Sequence, residues 1–100
     1  MSKYLVEIAE VAESDIRDAF FWYHERSALI ADAFRAEVLD AIDRVGKAPL
    51  GKAADDAGNR RRVLRRFPYS VVYDVQVDTV TIIAVSHHRR KPEYWRKSKT

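Results

Sequence analysis

Cysteine is absent from this 100-residue chain, which excludes disulfides and thiolate chemistry and matches the usage of a reducing compartment. Three glycines and three prolines are all that punctuate it, and no Gly-rich loop that could cradle a phosphate is among them. Long apolar runs are missing too. No segment reaches the length needed to span a bilayer, and Met1-Ser2-Lys3-Tyr4-Leu5-Val6-Glu7 lacks the apolar stretch of a signal peptide. The expectation is a soluble, cytoplasmic protein with no membrane partner. Paired carboxylates and a defensible Ser/His/Asp order are also missing, so hydrolase readings gain nothing.

What is present is ordinary globular composition, 47% apolar and 33% charged, at a length that makes residues 1–100 a single domain with one core. The charge is unevenly spread. Residues 1–59 sum to −5 and residues 60–100 to +8, behind a formal total of +3. Such a split gives a small domain a directional field and makes the basic half the candidate working surface for a polyanion or an acidic protein.

Alternation around Tyr4, Val6 and Ile8 predicts an opening strand. Ser14 reads as the N-cap of a first helix carrying Ile16, Ala19, Phe20 and Tyr23, with Asp15 and Asp18 in its first turns. Ser27 reads as the cap of a second. There Phe34, Val38, Ala41, Ile42 and Val45 form an apolar stripe opposite Asp32, Arg35, Glu37, Asp40 and Asp43, and Gly46, Pro49 and Gly51 end the helix. Residues 52–59 read as a surface loop. Three strands follow, Arg62 to Phe67, Tyr69 to Gln76 and Val80 to His87, with turns short enough for an antiparallel meander. The predicted fold class is α+β: an N-terminal strand, an antiparallel helical hairpin on one face of a small, twisted, mainly antiparallel sheet, and a short C-terminal tail. The second face of the sheet is expected to stand open.

The candidate functional residues gather in the basic half. Arg60-Arg61-Arg62 with Arg65-Arg66 is the densest cationic run, and its forks suit phosphates or carboxylates. An edge strand protected by charge explains the same run structurally. His87 and His88 point to opposite faces of a strand, so they cannot chelate one metal, and neither a metal nor any other cofactor is expected. The tail Arg89-Arg90-Lys91-Pro92-Glu93-Tyr94-Trp95-Arg96 combines cations with two aromatics. In the first helix Phe21 or Trp22 falls off the apolar face, so one of the two is a candidate for contact with a partner or in a dimer.

Together, the strand pair on Phe67-Pro68-Tyr69-Ser70-Val71-Val72-Tyr73 and the tail from Ala84 to Arg96 resemble the RelE/ParE superfamily of bacterial type II toxins, closer to the ParE-like branch. The likeness spans nearly the whole chain and is matched in the helices by pattern only. It implies a growth-arresting toxin that inhibits DNA gyrase without being an enzyme. A cognate antitoxin would neutralise it, in a complex that binds operator DNA through that antitoxin. On this reading Arg61, Arg62, Arg65, His88, Arg89, Arg90 and Trp95 form the target or partner surface, and Phe21 and Trp22 meet the antitoxin. The RelE-like alternative implies a ribosome-dependent, metal-independent mRNA endonuclease in which Arg65, Arg89 and Tyr94 share the chemistry.

Overall fold

The computed structural model describes residues 4–89. Leu5–Ile8 form β1, Glu10–His24 α1, Ala28–Lys47 α2, Arg60–Val63 β2, Tyr69–Gln76 β3 and Thr79–His87 β4, with a 3-10 turn at Pro49–Gly51. The strands make a sheet in the order β1-β4-β3-β2. The last three pair antiparallel, as their short connections predict. β1 joins β4 in parallel, which the two-helix crossover between them permits. The α+β architecture read from the sequence is the one observed.

The helices depart from expectation at their starts and ends. α1 begins at Glu10, and Ala9, in extended backbone, is its N-cap without a side-chain hydrogen bond. The Ala9 amide instead donates to the Ile82 carbonyl at 2.9 Å, so the chain passes from ladder to helix with no loop. Ser14 is therefore interior, and Glu10 and Glu13 supply the first-turn acids. Ser27 does cap α2, its Oγ accepting from the Ile30 amide at 3.3 Å. The stripe Phe34, Val38, Ala41, Ile42 and Val45 is buried as predicted. Gly46 does not end α2, which continues to Lys47. A Cβ there would lie 2.8 Å from Val6 Cγ2, so glycine serves a close approach of β1 to the last helical turn.

Glu37 is the other exception on α2. It was expected in water, yet its side chain is only 11% exposed because the carboxylate accepts from the Arg65 and Arg66 amides. That capture also moves β2. The strand runs over Arg60–Val63 instead of Arg62 to Phe67, since two amides are withdrawn from the ladder and Pro68 has none to offer. Leu64 turns into the core and its amide returns to the Tyr69 carbonyl at 2.9 Å.

In β4, Val72 pairs with Ala84 and Tyr73 with Ile82, leaving Ile83 as the extra residue of a β-bulge. The bulge resets the alternation. Val80, Ile82 and Val85 all enter the main core beneath the helices, beside Phe34, Val38, Val71 and Tyr73. Ile83 and Ala84 pack with Val72 and Val11 in a second, smaller cluster. The second face of the sheet is thus apolar and buried at its centre, a correction to the expected open platform. Between β3 and β4 a two-residue turn, Val77–Asp78, holds exposed Val77 at φ 54.

Candidate functional site

One end of the sheet gathers the loop after β2, the start of β3 and the end of β4. The His88 amide donates to the Pro68 carbonyl at 2.9 Å, and His88 Nε2 lies 3.0 Å from Ser70 Oγ. His87 sits on the other side, its ring 4.9 Å from that of Tyr69 and edge-on to it. Its Nδ1 accepts from the Arg89 amide at 3.0 Å. Each histidine is engaged locally on its own face, as the strand geometry predicts.

The arginine run is divided by the sheet. Arg61 pairs with Val72 and Arg62 with Val71, so the two project to opposite faces of an edge strand. Arg60 and Arg62 stand on the helix side near Tyr73. Burial pushes the Tyr73 hydroxyl above its ordinary pKa, and these two cations offset the rise only in part. That hydroxyl donates to the Pro49 carbonyl at 2.8 Å. Arg65 was expected on a strand and lies instead in the exposed loop that Glu37 holds by its backbone. Grooves around it are lined by Glu37 and Asp40 as well as Arg62 and Arg66. Arg90, Tyr94 and Trp95 lie outside the described residues.

Phe21 and Trp22 are both about half exposed, at 57% and 51%, yet they face different surroundings. Phe21 belongs to a groove on the outer side of the hairpin with Ile16, Phe20 and Leu39, flanked by Arg17 and Arg35. Trp22 carries the Arg26 guanidinium 3.5 Å above its ring, a cation–π contact. It also lines a cleft of about 530 Å³ with Asp15, Asp18, Tyr69 and His87.

Asp15 is the residue that the sequence reading missed. It is buried, and its Oδ2 accepts from the Val85 amide at 3.0 Å. The signal was available: Ala12, Asp15 and Ala19 share the buried stripe of α1, so a carboxylate stands at an apolar phase and needs a partner.

Residues 6–92 match the family of ParE toxins of type II toxin–antitoxin systems, parDE. The chain belongs to this family. Among solved structures, it is similar to a chain of the chromosomal ParDE toxin–antitoxin system from P. aeruginosa, with a TM-score of 0.76 and 15% identity over 85% of this chain and 96% of that one. It is also similar to a chain of the toxin–antitoxin complex RelBE2 from Mycobacterium tuberculosis, with a TM-score of 0.53 and 24% identity over 87% and 93%. At these identities the likeness is one of fold. No curated protein matches the chain.

Proposed function

We propose that this protein arrests growth by binding and inhibiting DNA gyrase in the cytoplasm, and that a cognate antitoxin neutralises it. Membership of the ParE toxin family over residues 6–92 is the observation that carries the reading. The solved chains of the same fold come from toxin–antitoxin systems, which supports the antitoxin, and operator binding would fall to that partner. Arg61, Arg62, Arg65, His88 and Arg89, with Arg90 and Trp95 beyond them, make up the target surface, and Phe21 and Trp22 the antitoxin contacts.

Binding suits the surroundings of Arg65 better than RNA cleavage does. A nuclease must concentrate positive charge on the phosphorane. Here Glu37 and Asp40 line the same grooves as Arg65, which dilutes the field a scissile phosphate would need.

The test is purified toxin in two assays side by side, gyrase supercoiling and cell-free translation with mRNA integrity. Inhibited supercoiling with intact mRNA is the expected result. Intact supercoiling with cut mRNA overturns the proposal and makes Arg65, Arg89 and Tyr94 the candidates for catalysis.

A further inference from the structure

We propose that the backbone amides of Arg65 and Arg66 form a binding site for a dianionic phosphate, a phosphate monoester or inorganic phosphate, and that Glu37 occupies this site in the free chain as an internal competitor. The inference is independent of the toxin's target.

The site is built by the backbone. Leu64 turns into the core and returns its amide to the Tyr69 carbonyl, and the next two amides leave the ladder together. Both donate to Glu37 Oε2, the Arg66 amide at 3.3 Å, while Arg66 Nε stands 3.3 Å from Oε1. Two successive N–H groups on one oxygen make a concavity of the kind that cradles phosphates. This one already holds an anion.

Its surroundings are cationic and open to solvent. Grooves of about 390 and 190 Å³ meet at Glu37, Asp40 and Arg65, with Arg66 on the wall of the first and Arg44 and Arg62 on that of the second. Asp40 is paired with Arg44 at 2.8 Å, so its charge is partly answered. The Glu37 side chain is sunk against the loop, whereas that of Arg66 is 68% exposed. An incoming anion therefore meets guanidinium before it meets the resident carboxylate.

The class of ligand follows from the competition. Glu37 is tethered and offers one charge and two oxygens. A free carboxylate or a phosphodiester, with one charge each, has no advantage over it. A phosphate monoester brings close to two charges near neutral pH and three strong acceptor oxygens. It can keep both amides and Arg66 and present a further oxygen to the Arg65 fork. The displaced carboxylate returns to water beside exposed Asp40.

The test uses the full-length, isotope-labelled protein in phosphate-free buffer. Inorganic phosphate, methyl phosphate, dimethyl phosphate and acetate are titrated in turn while the Arg65 and Arg66 amide resonances are followed. The first two should shift these resonances saturably in the parent, and the last two should act at least tenfold more weakly. Glu37→Ala should tighten phosphate binding tenfold or more, because a competitor lowers apparent affinity by the fraction of time the site is free. Added phosphate should also return exchange protection to the two amides of that variant. Asp40→Ala removes the same charge from the same grooves and should change the affinity less than threefold. Equal tightening by the two variants overturns the proposal, since charge alone would then account for it. So does a parent or a Glu37→Ala chain whose two amides show no saturable response. Acetate or dimethyl phosphate matching phosphate overturns the assigned class of ligand. If Glu37→Ala fails to fold by circular dichroism, Glu37→Gln decides. It should bind phosphate at least threefold more tightly than Asp40→Asn, and equal affinities overturn the site.

Discussion

The Asp15 carboxylate accepts a hydrogen bond from the Val85 amide across 3.0 Å, joining α1 to β4 over seventy residues of sequence. The bond replaces the strand that β1 fails to provide beyond Ile82. It also gives a buried carboxylate the partner its burial requires.

Asp15→Ala removes the acceptor and leaves a buried amide unsatisfied, which costs about 1–3 kcal/mol. Asp15→Asn keeps an oxygen at the position and should recover part of that. Urea midpoints of the two variants against the parent make the comparison. An alanine variant as stable as the parent would mean that the bond contributes nothing.

Glu37 organises the loop after β2 through the Arg65 and Arg66 amides, with Arg66 Nε 3.3 Å from its second oxygen. Because the ion pair itself is largely exposed on the arginine side, the backbone bonds carry most of the effect. Glu37→Ala should speed amide exchange at Arg65 and Arg66 by tenfold or more while leaving β3 and β4 protected. Unaltered exchange would show that the loop holds its shape without the clamp.

At Gly46, alanine has the better helix propensity by roughly 1 kcal/mol, and packing should still win. Its Cβ would meet Val6 Cγ2 at 2.8 Å, and valine is stiff about χ1. Gly46→Ala is expected to lower stability by about 1–3 kcal/mol, with Val6→Ala restoring part of it in the double variant. A positive shift in the thermal midpoint of the single variant would contradict the close approach.

Burial raises the pKa of Tyr73, and also of Tyr23, above the ordinary tyrosine value of 10.0. A raised folded-state value means that the unfolded chain ionises first. The stability tied to these hydroxyls is therefore complete below pH 10 and is lost as pH climbs through the folded-state values. Urea midpoints measured from pH 8 to 11 should fall only in the alkaline part of the range. Tyr73→Phe should flatten that fall and leave the share of Tyr23. Its cost at neutral pH is about 1 kcal/mol for the lost bond to the Pro49 carbonyl.

Much of this was legible in the sequence. The α2 stripe from Phe34 to Val45, the Ser27 cap, the exact span of β3 and the opposed faces of His87 and His88 follow from periodicity and capping chemistry alone. The errors share one cause, long-range capture of backbone groups. Ile82 takes the Ala9 amide, so α1 begins before Ser14. Glu37 takes two amides, so β2 stops at Val63 and Arg65 leaves the strand. Gly46 looked like a terminator because the approach of Val6 comes from forty residues away. Of the candidate site, His88, Arg89 and the Arg65 loop do meet at one end of the sheet. Phe21 and Trp22, neighbours in sequence, part into two separate surfaces because adjacent residues on a helix point about 100° apart.

The extra residue at Ile83 has a further meaning for comparing relatives. Strict alternation would put His87 on the face opposite Val80 and Ile82. With the bulge counted, His87 joins them on the helix side and looks into the cleft. In a relative without that insertion, the residue that an ungapped count aligns with Ser86 would stand in the same place. Functional positions in the tail therefore transfer between such chains only after a shift of one, and an ungapped alignment through β4 would assign the right chemistry to the wrong side chain.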